Sequence, residues 1–197
     1  MMSFLTTRSK TAERERTPAG GPSQQELQAR FNRYVLPHVP AAYNLARWLV
    51  NNGDDAEDQV QEACLRAFRH MDRFHGIDGR AWFLTIVRNT CYTFLHRRGI
   101  VAGSLELEAE VHAPSEACPE ESLMRKWDAR SLQTAIEALP APLREVIVLR
   151  EFEELSYKEI AEVAEVPVGT VMSRLARARA RLRTVIENGE EGGNGLS

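Results

Sequence analysis

The chain has 197 residues, with 25 Lys and Arg against 28 Asp and Glu, for a formal net charge of −3. At 43% hydrophobic and 27% charged it has the make-up of a soluble globular protein, and no apolar run reaches the ~20 residues that a transmembrane helix needs. Cys64, Cys91 and Cys118 are odd in number and lack CxxC spacing, which argues against a disulfide framework or a zinc site and makes a reducing cytoplasm the default compartment.

Met1 to Arg16 mixes Thr, Arg and Glu without an apolar core, which argues against a secretory signal, and residues 1–23 read as a disordered tail. Helical patterning runs from Gln24 to Leu36, where Pro37 and Pro40 interrupt it. A second helix covers Ala41 to Val50 and ends at the stop signal Asn51-Asn52-Gly53. Asp54 or Asp55 can cap a third helix reaching His70, whose Val60, Ala63, Cys64, Ala67, Phe68 and Met71 keep one apolar face. The loop His75–Gly79 leads into a fourth helix, Arg80 to Arg98, which completes a first domain over 24–99.

Residues 100–122 form an acidic linker. Ala102 to Ser122 holds six glutamates, two prolines and no Lys or Arg. Periodicity resumes from Leu123 to Leu139 and again from Leu143 to Phe152. Ser156-Tyr157-Lys158-Glu159 is a capping box opening a helix to Ala164. After the break Glu165–Val168, a last helix runs from Gly169 to Glu187. The second domain is thus 123–187, followed by a flexible Gly-rich tail, 188–197. With no strand alternation, the expected fold is all-α: two helical domains joined by a flexible acidic linker.

Three faces carry chemistry. The short capped helix, tight turn and longer basic helix over 156–187 make a helix-turn-helix, whose second helix enters the DNA major groove. Val171, Leu175, Ala178, Leu182 and Ile186 form its packing stripe, and no acid occurs between Gly169 and Ile186. Thr170, Ser173, Arg174 and Arg177 fall at its exposed N-terminal end, where base edges are read, and later arginines such as Arg179 suit phosphates. On the fourth helix, Thr85, Arg88, Asn89, Tyr92 and His96 share one face, fit either for base stacking and phosphate contact or for plain solvent exposure. On the third, Asp58, Gln61, Glu62 and Leu65 line up opposite the core. Leu65 among charges is either an incidental exposed apolar residue or the centre of a docking face for a partner helix.

No Gly-rich phosphate loop, HExxH or paired Cys/His ligand spacing occurs, so no enzyme, metal or cofactor is expected. Cys64 and Cys91 read as small core residues.

The stretch Asp54-Asp55-Ala56-Glu57-Asp58-Gln59-Val60-Gln61-Glu62-Ala63-Cys64-Leu65-Arg66-Ala67-Phe68 resembles conserved region 2.2 of bacterial sigma-70-type factors. Trp82-Phe83-Leu84-Thr85-Ile86-Val87-Arg88-Asn89 resembles regions 2.3–2.4. Leu155 to Ala161, with Val166 to Arg179, is similar to region 4.2. Two such domains with a linker in place of a third look like the extracytoplasmic-function (ECF) subgroup.

The resemblance implies a non-catalytic promoter-specificity subunit. Asp58, Gln61, Glu62 and Leu65 would sit against the β′ clamp helices of core RNA polymerase. His75, Gly76 and Asp78, with Arg88, Asn89, Tyr92 and His96, would recognise and help open the −10 element of promoter DNA. Thr170, Ser173, Arg174, Arg177 and Arg179 would serve the −35 element, the first helices of the second domain would approach the β flap, and an anti-sigma factor would control the whole. Two promoter elements 20–25 base pairs apart are separated by about 70–85 Å. A linker of ~20 residues spans at most about 70 Å, so tethered domains reach both elements and a compact protein does not. The alternatives are a stand-alone helix-turn-helix regulator with a helical dimerisation domain, and a cytosolic thiol-based redox sensor.

Overall fold

Among the described residues, eight α-helices and no strand are present. The computed structural model describes residues 22–76, 78–100 and 129–192, the side chains of 129 and 186–192 excepted. Most of the expected N-terminal tail, the acidic linker beyond residue 100, the expected helical stretch 123–128 and residues 193–197 lie outside them.

Ser23 opens α1 (Gln24–Tyr34) through a capping box with Glu26. The helix stops two residues before the expected Leu36, because Leu36–His38 tightens into a 3-10 turn around Pro37. Pro40 does not delay α2 (Val39–Val50): it lies in the first turn, where its missing N–H costs nothing. Asn51 takes the left-handed conformation (φ 57) that ends α2. A single extended residue, Asn52, then caps α3 (Gly53–Arg69) by accepting from the Asp55 N–H at 3.0 Å. The cap is therefore Asn52 and not Asp54 or Asp55, which stand in the first turn where the helix dipole favours acids. Asp78 caps α4 (Gly79–Arg97).

In the second half, α5 (Ala129–Glu137) is followed by α6 (Ala141–Ile147), with Pro140 at the N-cap of α6 and Pro142 in its first turn. The expected helix to Phe152 loosens into one π-helical turn over Val148–Phe152. Helix α7 (Tyr157–Ala164) carries the expected capping box between Ser156 and Glu159, and Glu165 ends it in the left-handed region (φ 55). Helix α8 begins one residue early and runs to Gly192 (Val168–Gly192), past the expected fraying point.

Leu45, Leu49, Met71, Phe83 and Leu84 fill the core of the first half; Ile136, Ile147, Leu149, Ile160 and Leu175 fill that of the second. The two halves are not merely tethered. Helix α4 packs on α7, and α2 on α6.

Candidate functional site

The face of α3 opposite its buried Ala56, Val60, Ala63 and Ala67 is open. Asp58 and Gln61 are exposed, Glu62 is half-exposed, and Leu65 is 53% exposed at the centre of the patch. Arg66 donates to Glu62 at 2.8 Å and through this bond draws the Glu62 carboxyl below its ordinary range. All four residues grouped from the sequence thus share one solvent-facing strip.

The loop before α4 frames a cleft of about 510 Å³ lined by Arg73, His75, Gly76, Asp78, Trp82 and Thr85. Phe74 and Trp82 lie ring on ring at 4.5 Å, with Tyr34 edge-on to Phe74 at 5.3 Å. This apolar bed, and a bond from the Arg30 guanidinium to the Phe74 carbonyl, set the height of the loop. Glycine is required at two points. A Cβ on Gly76 would lie 2.9 Å from the Phe74 ring, and one on Gly79 only 2.3 Å from the Tyr34 carbonyl oxygen. His75, Gly76 and Asp78 belong to this cleft. His96 is exposed near the far end of α4 and does not line it.

Arg88, Asn89 and Tyr92 stand together, as their spacing requires, but face protein and not solvent. Arg88 pairs with Glu145 of α6 at 2.5 Å, and the Tyr92 hydroxyl donates to the other oxygen of that carboxylate at 3.0 Å. The Arg88 guanidinium lies over the Tyr92 ring, 4.6 Å from its centroid. Asn89 donates to Glu165 at 3.3 Å, and Arg88 comes within 3.7 Å of the same carboxylate. Glu145 is fully buried. Burial raises its pKa against the pull of Arg88, and burial together with the Glu145 charge pushes the Tyr92 phenol up. Arg88 is raised too: against the cost of burial, Glu145 holds it protonated. Geometry decides the state of the pair: two donors converge on the carboxylate, which is the arrangement that stabilises an ionised acid in a dry site.

A second cluster lies alongside. Glu153 accepts from Asn44 at 2.7 Å and from Arg80 at 2.9 Å, and its carbonyl accepts from Arg80 at 2.7 Å. Trp48 and Phe152 stack across the same seam at 5.5 Å. In the opposite sense, Arg144 donates to the Leu49 carbonyl at the end of α2.

On α8, Val171, Leu175 and Ala178 are buried as the stripe requires. Ser173 is exposed, Thr170 and Arg177 are half-buried, and Arg179 pairs with Glu151 at 2.9 Å. Arg174 departs from expectation. At 5% exposure it is buried, not at an exposed helix end, on a helix that packs against α6 and α7. Burial depresses its pKa, and the charges of Arg88 and Arg177 depress it further.

The residues missed from the sequence are Glu145, Glu153, Glu165, Arg144, Arg80 and Asn44. Arg144 and Glu145 alone left a usable signal, as two charges set between Leu143 and the apolar run Val146-Ile147-Val148-Leu149. Cys91 is buried, and burial pushes its thiol up to about 12, while burial also raises Cys64, so both are poor nucleophiles. No metal-binding cluster of His, Cys, Asp or Glu, and no helix long and apolar enough to cross a membrane, occurs among the described residues.

Two family models match the chain: sigma-70 region 2 over residues 34–100 and sigma-70 region 4 over residues 129–182. The ECF RNA polymerase sigma-E factor of Escherichia coli K12 is 36% identical over 173 residues, covering 83% of this chain and 90% of that protein. The RNA polymerase sigma-H factor of Pseudomonas aeruginosa is 32% identical over 166 residues, covering 80% and 86%. Among solved structures, the sigma factor RpoE of Bartonella quintana, in complex with the anti-sigma factor NepR, matches with a TM-score of 0.61 and 30% identity over 80% of this chain and 96% of that one. CnrH, in complex with the cytosolic domain of CnrY, matches at 0.57 and 27% identity over 82% and 90%.

Proposed function

The chain belongs to the ECF branch of the sigma-70 family, and from that premise we propose how its two halves divide the work of promoter-specific initiation. The protein binds core RNA polymerase and directs it to promoters; its part is recognition and strand separation rather than bond chemistry, and its place of action is the cytoplasm, with the polymerase. An anti-sigma factor is its expected regulator, as in the complexes of the two solved relatives.

The exposed strip of α3 docks on the β′ clamp helices. Leu65 supplies an apolar anchor, ringed by Asp58, Gln61 and Glu62, the pattern of a small hot spot with a polar rim. The cleft at His75, Gly76 and Asp78, with its aromatic bed, accepts an unstacked base of the −10 non-template strand, and Arg88, Asn89 and Tyr92 hold the adjoining strand by charge, hydrogen bonds and stacking. Thr170, Ser173, Arg174 and Arg177 read the −35 duplex in the major groove, and Arg179 contacts phosphate.

The observation that carries this reading is the presence of both matched regions in one chain, with Leu65 left 53% exposed among Asp58, Gln61 and Glu62 on α3. Mixing the purified protein with bacterial RNA polymerase core and sizing the mixture tests it. Co-elution that survives moderate salt is expected; failure of a well-folded, inhibitor-free protein to co-elute would overturn it in favour of a stand-alone helix-turn-helix regulator.

A further inference from the structure

We infer that Met172, with Val168 one turn before it, is a specificity-determining contact of α8: an apolar edge that reads the 5-methyl groups of thymines in the −35 duplex. Resting on the function proposed above, this adds an apolar reader to the polar set Thr170, Ser173, Arg174 and Arg177.

The packing of α8 decides which of its side chains reach outward. Val171, Leu175 and Ala178 are buried, on a helix that packs against α6 and α7, so its rotation about its own axis is fixed. Over 168–175 the exposed residues are Val168, Gly169, Met172 and Ser173. Met172 is the largest of them, at 47% exposure, and Val168 is 41% exposed. Four positions apart, these two are neighbours on one side of the helix. The polar groups at the same end are engaged or withdrawn. The Ser173 hydroxyl donates to the Thr170 carbonyl at 2.9 Å, Arg177 donates to the Ser173 carbonyl at 3.4 Å, and Arg174 is buried. What this end of α8 offers outward is therefore mainly apolar.

A single exposed apolar residue ordinarily has no meaning; the surroundings of this one give it a partner. No acid occurs between Gly169 and Ile186, and Arg177, Arg179, Arg181 and Arg183 follow along the same helix. That charge attracts an anion, and under the function proposed above the anion is the −35 duplex. Gly169 is a second sign. A Cβ built there meets nothing within 4 Å, so no neighbour in this chain demands glycine, although glycine is a poor helix former. Close approach of a duplex to the first turn gives it a use.

A recognition helix presents its N-terminal residues to base edges in the major groove. The apolar feature there is the thymine 5-methyl group; guanine O6 and N7, adenine N6 and N7 and cytosine N4 are polar. Held against a polar edge, a thioether side chain strips away water and returns no hydrogen bond, which is unfavourable. Held against a methyl group, it buries apolar surface without that loss. Attraction to the right base and a penalty at the wrong ones thus act together. The unbranched, flexible methionine chain adapts to the groove. Val168 and Met172 stand about 6 Å apart along the helix axis, close to two base-pair steps of about 3.4 Å. The thymines they meet are expected within two positions of each other.

Holoenzyme assembled from the full chain and core polymerase tests this against a duplex library randomised across the −35 region. Wild type should enrich thymine in at least one position of the selected element. Replacing that thymine by deoxyuridine removes the methyl group alone. The change should weaken wild-type binding about fourfold, the worth of one buried methylene-sized group, and leave binding by Met172→Ala unaffected. Met172→Leu, still apolar, should keep the methyl effect, and Met172→Gln should lose it. Met172 is 47% exposed, so these variants should fold as the wild type does, which circular dichroism checks. A selected element without thymine, or a deoxyuridine penalty equal in wild type and Met172→Ala, would overturn the contact and leave this edge of α8 to a protein partner. Failure to form holoenzyme would instead overturn the proposed function. The same selection and methyl replacement on the free chain then decides Met172 by itself, with a lack of thymine enrichment counting against it.

Discussion

Asn89 on α4 donates to Glu165 in the turn of the helix-turn-helix, 76 residues later, at 3.3 Å. In the function proposed above, the halves that carry these residues serve opposite ends of a promoter; here the two side chains share a hydrogen bond. The pairing joins the helix proposed to hold the −10 strand to the turn just before the helix proposed to read the −35 duplex.

Leu65→Asp should abolish association with core polymerase while leaving the fold intact. Leu65 is 53% exposed, so its replacement costs almost no folding free energy, whereas losing an interface anchor costs on the order of 2 kcal/mol or more, about thirtyfold in affinity. Sizing chromatography with core and far-UV circular dichroism check both halves of the statement. Normal holoenzyme formation would rule out the α3 strip as the docking face.

Arg174→Ala should lower discrimination among −35 variants by about 1–3 kcal/mol in the holoenzyme, the worth of a bidentate base contact. Arg174 is 5% exposed in this structure, so the effect is to be sought in the holoenzyme. Competition between promoter fragments differing only in the −35 element measures it. Undiminished discrimination would remove Arg174 from the reading set.

Gly79→Ala should destabilise the first half by about 1–3 kcal/mol, the usual cost of forcing extra volume into a packed site. The added Cβ would meet the Tyr34 carbonyl oxygen at 2.3 Å, and backbone cannot yield as a flexible side chain does. Urea denaturation gives the loss. The same shift moves the start of α4 and the cleft beside it, so −10 recognition should weaken in parallel.

Ser156→Ala should cost about 1 kcal/mol, the usual worth of an N-cap, and should move the titration of Glu159. Hydrogen bonds from Ser156, side chain first and then backbone, hold the Glu159 carboxyl below its ordinary range. Because the folded value lies below the unfolded one, this contribution is complete above the ordinary glutamate range and is lost as pH falls through the lowered folded value. In Ser156→Ala the Glu159 midpoint, followed by carboxyl-detected NMR, should rise toward that of a free glutamate. An unmoved midpoint would mean that the hydroxyl plays no part.

Rules that act between near neighbours are legible in the sequence. The Ser156–Glu159 capping box, the α3 core stripe and the open strip at Asp58, Gln61, Glu62 and Leu65 all depend on residues within a few positions of one another. Expectation and fold part where two local signals compete. Asn51 and Asn52 carry the end of one helix and the start of the next, leaving Asp54 and Asp55 inside the first turn. Pro40 has the look of a break but occupies a first helical turn, where proline is tolerated.

By itself the sequence determined the all-helical class, the order of two families of motif and which residue types gather on each helix face, because helical period and capping are set by residues three or four apart. It did not determine what those faces meet. Arg88, Asn89 and Tyr92 form the same polar stripe whether they face water, nucleic acid or protein; only the fold placed Glu145 and Glu165, 57 and 76 residues downstream, against them. That choice rests on long-range packing and on balancing the drying of charges against their pairing, neither of which is encoded in the spacing of a single helix.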